Sequence, residues 1–127
     1  MQTIVLVMRR KPVVQALMKK MQDDSETHLM IETDYTHADA TIRSHGACIA
    51  LLEVAETGEY DMSHCLALCI GLRKEAPQCK LLLICPEQDT GGVAQAVESK
   101  REGRIDDFVF YDSTTDYLVS KLSSFQS

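Results

Sequence analysis

The stretch ACIALLE, residues 47–53, decides how the chain is read. From Cys48 to Leu52 its apolar run is continuous rather than alternating, the pattern of a strand buried on both faces. The run closes on a single carboxylate, Glu53, and the loop VAETGEYD (54–61) follows. A lone acid at the mouth of a hydrophobic strand stands where the chain leaves its core.

The same unit recurs on either side. Upstream, TIVLVM (3–8) is a short β-branched apolar run, and PVVQALMKKMQDD (12–24) follows with Val13, Leu17 and Met21 on one helical face. Pro12 suits the first turn of that helix. HLMIET (28–33) is a poorer strand, and THADATIRSHG (36–46) reads as a short helix closed by Gly46. Downstream, DMSHCLALCIGLRKEA (61–76) is a helix with Met62, Cys65, Leu66, Cys69, Ile70 and Leu72 inward. CKLLLICP (79–86) is a strand stopped by Pro86. GGVAQAVESKREG (91–103) is a helix with a thin stripe of Val93, Ala94 and Val97. DDFVFYD (106–112) is the fifth strand, and TTDYLVSKLSSF (114–125) the last helix, with Tyr117, Leu118 and Leu122 inward.

Five strand–helix units in 127 residues predict one α/β domain over 1–127, a doubly wound parallel sheet with helices on both faces. Such sheets carry their sites at the carboxyl ends of the strands. Function is therefore expected at residues 8–12, 53–60, 85–90 and 111–113.

Composition narrows the function classes. Hydrophobic residues make up 45% and charged residues 25%, the balance of a soluble globular domain. A net charge of −6 argues against non-specific binding to nucleic acid or to an anionic membrane. No apolar run reaches the ~18 residues of a membrane span, and the opening MQTIVLVMRRKP is too short in apolar residues for a secretory signal. The expected compartment is the cytoplasm. The five cysteines, at 48, 65, 69, 79 and 85, are an odd number without a secretory signal, which suits reduced, buried thiols. A metal reading would use His64, Cys65 and Cys69 with His45, but no C-x-x-C pair supports it. No metal and no cofactor is expected.

At the strand ends stand Arg9, Arg10, Lys11 and Pro12 after the first strand, Glu53 after the third, Cys85 after the fourth and Tyr111 after the fifth. Neither G-x-G-x-x-G nor G-x-x-x-x-G-K-[ST] is present. Gly91-Gly92 reads as a helix-opening turn rather than a phosphate cradle, since Glu87 and Asp89 would repel the anion. No histidine stands at a strand end facing Cys85, so that residue reads as a buried thiol rather than a nucleophile.

Five such units with a strand-end acid on the third resemble the receiver domain of bacterial two-component response regulators. The resemblance spans essentially the whole chain and implies a flavodoxin-like sheet of order 2-1-3-4-5. It places the phosphoacceptor aspartate at Glu53. The acidic pair after the first strand falls on Arg9 and Arg10, with the proline that follows matching Pro12; a register one residue earlier places the pair on Met8 and Arg9. The serine or threonine of the fourth strand becomes Cys85. The lysine of the fifth becomes Tyr111, the proline after it becomes Asp112, and the aromatic switch position matches as Phe108.

These departures have a chemical meaning. Mg²⁺ is held by oxygen ligands, and arginines at the acidic-pair positions would repel it. Without the hydroxyl and the lysine, phosphoryl oxygens lack their usual partners. An arginine can instead pair with Glu53, supplying fixed charge where a receiver carries metal and phosphoryl group; the alternative is a set of solvated charges of little weight.

The resemblance implies a degenerate, non-enzymatic receiver that signals through protein partners independently of phosphorylation, as the N-terminal part of a longer regulator with a C-terminal effector domain. No direct contact of this domain with nucleic acid or membrane is expected. It also implies a homodimer through the fourth helix, fifth strand and fifth helix. That face would offer Val97, Lys100, Arg101, Arg104, Asp106, Asp107, Asp116 and Lys121, whose mixed charges suit reciprocal pairing across a two-fold axis. The alternative for these residues is an ordinary solvated surface. Two other functions stand beside this one: a conventional receiver phosphorylated on Glu53, Glu56, Glu59 or Asp61, and a small-ligand or flavin module, for which the loops lack a phosphate cradle.

Overall fold

A computed structural model describes residues 2–126. The apolar runs form five strands: β1 (Gln2–Val7), β2 (Thr27–Glu32), β3 (Ile49–Glu53), β4 (Lys80–Cys85) and β5 (Asp107–Phe110). All pair in parallel, in the order β2-β1-β3-β4-β5. The doubly wound sheet and its 2-1-3-4-5 order are therefore as expected. Five α-helices connect and cover it: α1 (Lys11–Met21), α2 (Ala38–Ser44), α3 (Met62–Glu75), α4 (Thr90–Arg101) and α5 (Thr115–Ser124). A single 3₁₀ turn over Tyr35–His37 leads into α2, so the helix begins later than the sequence predicts. Gly46 does end that segment, with φ of 56°, a conformation an L side chain seldom adopts.

The sheet separates two apolar layers. Ile4, Leu6, Ile49, Leu51, Leu82 and Ile84 point to the side covered by Val14, Leu17 and Met21 of α1 and Leu118 and Leu122 of α5. Their neighbours in sequence, Val5, Val7, Ala50, Leu52, Leu81 and Leu83, point to the side of Ala38 and Ile42 of α2, Cys65, Cys69 and Leu72 of α3, and Ala96 of α4. Burial on both faces is why the central strands read as unbroken apolar runs.

Four helix faces differ from expectation. On α4 the buried stripe is Gly92, Ala96 and Ser99, and Val97 is exposed. Small side chains let this helix sit close to the sheet, and hydrophobicity alone points to the wrong face. Ile70 on α3 and Tyr117 on α5 are also exposed rather than inward. On α1, Val14 is buried and Val13 only half-buried. Among the described residues no helix is long and apolar enough to cross a membrane.

Candidate functional site

The parallel order brings the ends of β1, β3, β4 and β5 to one edge, and with them the charged and aromatic residues that follow. Glu53 lies at its centre, with its side chain 14% exposed. Its Oε1 accepts the main-chain N–H of Arg9 at 2.7 Å and of Arg10 at 3.1 Å. Its Oε2 lies 3.4 Å from Nε of Arg10. Sequence spacing leads to an ion pair and this contact is present, but more of the hold on the carboxylate comes from backbone.

The reason is the start of α1. Arg10 is the residue before the helix, its side chain makes no capping bond, and no acid occupies the first turn. The first N–H groups of a helix need acceptors and favour negative charge. Glu53 supplies both from another element, accepting the N–H of Arg10 at the helix start and of Arg9 just ahead of it.

The two arginines diverge from there. The Arg10 guanidinium lies 3.8 Å from the centre of the Tyr111 ring, a cation–π contact. Arg9 turns the other way: its Nε donates to the carbonyl of Thr33 at 3.0 Å, and its guanidinium lies 4.8 Å from the ring centre of Tyr60. Tyr60 stacks on Tyr35, with centroids 4.1 Å apart and planes 11° from parallel. Two phenols then tie down the carbonyls at the end of β3. Tyr35 donates its hydroxyl to the Glu53 carbonyl at 2.5 Å, and Tyr111 donates its hydroxyl to the carbonyl of Val54. Burial raises the pKa of both tyrosines far above the ordinary phenol value, with further increases from the neighbouring Cys65 for Tyr35 and Glu53 for Tyr111. Both hydroxyls stay protonated as donors.

Tyr35 and Tyr60 escape a reading of the sequence by strand ends. Each follows a strand within a few polar residues, in ETDYTH and ETGEYD, and an aromatic so placed is the only signal for them.

Cys85 is fully buried, its thiol directed to the carbonyl of Val109 at 3.4 Å. Burial, with Asp89 nearby, pushes that thiol up to about 12, which leaves it un-ionised and unreactive near neutral pH. Phe108 is half-buried and meets Phe110 edge-to-face, centroids 5.9 Å apart. Cys65 contacts the carbonyls of Glu53 and Tyr60 and is buried, while the exposed His64 packs edge-on against Tyr60. Among the described residues no three His, Cys, Asp or Glu side chains form a group suited to a metal ion. Asp61 caps α3 at the N–H of His64, and Glu56 and Glu59 lie exposed in the loop. At the opening of α4 the Asp89 carboxylate accepts the N–H of Gly92 at 3.0 Å and fills the space beside that glycine.

The charged strip over α4, β5 and α5 is matched within the chain. Asp107 is buried and meets Lys100 at 3.0 Å and Lys121 at 2.8 Å. Asp106 accepts Arg73 of α3 at 3.0 Å and the N–H of Leu81 at 2.8 Å. Arg101 pairs with Glu98, Arg104 with Glu102, and Asp116 with Lys20 of α1. Val97 and Tyr117 are the large exposed apolar side chains of this face.

No family model matches the sequence, and no curated protein is similar to it by sequence. The fold, however, is similar to many solved structures. A DNA-binding response regulator of the LuxR family from Staphylococcus aureus superposes with a TM-score of 0.76 at 13% identity, covering 98% of each chain. A response regulator from Thermotoga maritima gives 0.75 at 18% identity, over 98% of this chain and 96% of the other. A CheY-like protein from Pseudomonas aeruginosa gives 0.72 at 15%, over 99% and 100%. At such identities the likeness is one of fold.

Proposed function

We propose that the chain is a receiver-like signalling domain of the cytoplasm that acts through protein contacts, without phosphoryl transfer at position 53 and without enzymatic activity of its own. The observation that carries this reading is the occupancy of Glu53. One carboxylate oxygen is bound by two main-chain N–H groups and the other faces a guanidinium.

The donor set does not fit Mg²⁺. A hard divalent cation wants several oxygen ligands, and here the Glu53 carboxylate is engaged by the main-chain N–H groups of Arg9 and Arg10 and faces the Arg10 guanidinium. An incoming phosphoryl group meets the same obstacle, because attack by Glu53 requires its oxygens to leave the start of α1. Tyr111 and Cys85 offer neither the cation nor the free hydroxyl that phosphoryl oxygens use. The arrangement supports one fixed state of this edge, in which cation and anion are both covalent parts of the chain. Membership of a longer regulator and self-association through α4, β5 and α5 belong to the same proposal. Because the charges there are already paired internally, the contact surface rests on Val97 and Tyr117.

Intact-mass measurement after incubation with Mg²⁺ and acetyl phosphate tests the reading, and the expected product is a single unmodified species. A base-labile adduct of one phosphoryl group that disappears in Glu53→Gln would overturn it and restore phosphorylation on a non-standard acid.

A further inference from the structure

Between α1, α5 and the sheet lies a cavity of about 170 Å³ that neither the fold nor the edge cluster requires. Its walls are apolar: Leu17, Ile84 and Leu118, all buried. Three polar side chains, Tyr111, Ser113 and Thr115, also line it. Tyr111 spends its hydroxyl on Val54, but the hydroxyls of Ser113 and Thr115 have no protein partner among the described residues.

Size and polarity together define an occupant. An apolar cavity of about 150 Å³ in another protein stays dry and takes up benzene. Small-ligand sites combine an apolar body with a few converging polar groups that fix orientation. We infer that this cavity binds a small aromatic molecule with one hydrogen-bonding substituent, its ring between Leu17, Ile84 and Leu118 and its polar atom toward Ser113 and Thr115. Tyr111, the ring that Arg10 covers, lines the site, so an occupant touches the edge cluster directly. It would give a domain that takes no phosphoryl group a chemical input of its own.

Benzene and phenol are suitable probes, titrated into the whole chain while methyl NMR signals are followed. Both should give saturable shifts at Leu17, Ile84 and Leu118. Phenol should bind about two- to tenfold more tightly than benzene, the range of one net hydrogen bond. Ala16→Phe, at a half-buried wall position, should abolish saturation for both. The double variant Ser113→Ala/Thr115→Val should bring phenol to the level of benzene and serves if the first variant folds poorly. Shifts that stay linear with probe concentration, saturation that survives Ala16→Phe, or a phenol preference that survives the double variant would overturn the inference. None of these readouts depends on whether position 53 accepts a phosphoryl group.

Discussion

Two carboxylates in this molecule are each held between cationic residues, and they are held differently. Glu53, at the carboxyl edge of the sheet, is fixed chiefly by main-chain N–H groups, with the half-exposed Arg10 guanidinium as a third, longer contact. Asp107, at the opposite edge, is fixed by two lysine side chains from two helices, at 3.0 and 2.8 Å, and by the N–H of Phe108 at 2.8 Å. The first arrangement completes one helix. The second ties α4 and α5 to β5. Backbone donors hold an acid in place with no side-chain entropy to lose, whereas each lysine gives up rotamer freedom to do so.

The largest expected effect comes from removing the more buried acid. Asp107→Ala strands two ammonium groups and a strand N–H and should cost about 2–4 kcal/mol in urea unfolding. Glu53→Ala should cost less, about 1–2 kcal/mol, because the start of α1 is exposed enough for water to replace the carboxylate. A larger loss for Glu53→Ala would reverse the comparison and make the edge cluster the main staple of the fold.

Acid separates the two next. Burial works against ionisation of Asp107, but hydrogen bonds from Lys121 and Lys100 outweigh it and hold the pKa below the ordinary carboxylate value. A depressed folded pKa contributes stability above the unfolded value, near pH 4, and that contribution is lost as pH falls through the folded value. The stability gap between the parent and Asp107→Ala should therefore be full at pH 6 and shrink below about pH 4. Lys121 mirrors this on the alkaline side. The hydrogen bond it donates to Asp107 raises its pKa, so its contribution persists below the unfolded value, about 10.4, and is lost as pH rises through the higher folded value. A gap that is flat from pH 3 to 6 would mean the lysine pairs contribute nothing.

The smallest effect distinguishes the two arginines. A double-mutant cycle of Glu53→Gln with Arg10→Met should show coupling of about 0.2–1 kcal/mol, since the guanidinium is 51% exposed. The same cycle with Arg9→Met should show none, because Arg9 meets Glu53 through its main chain. Equal coupling for both would mean that side-chain charge, and not the helix start, holds the acid.

The contrast also marks what was legible in the sequence. Continuous apolar runs identify β1, β3 and β4, because burial on both faces leaves little other composition available to them; the edge strands β2 and β5 are only partly buried and read more weakly. Glu53, Arg9 and Arg10 are legible as neighbours once the strand order is known. Asp106 and Asp107 are harder: adjacent residues of a strand face opposite ways, and spacing alone does not say that Asp107 meets lysines from two helices while Asp106 reaches back to Arg73. Tyr35 and Tyr60 escape for a related reason: Tyr35 acts on the carbonyl of Glu53 and Tyr60 stacks on Tyr35, contacts made across the sheet edge that leave no periodic trace in the chain.

The borrowed cap of α1 has an evolutionary consequence. Aspartate at position 53 is one methylene shorter, and with the main chain there pinned by Tyr35 and Tyr111 it falls short of the N–H groups of Arg9 and Arg10. An acid at position 10, on the other hand, sets a second negative charge against Glu53 while the first is still in place. Either of these two substitutions, made alone toward a metal-binding, phosphorylatable edge, thus passes through a less stable intermediate.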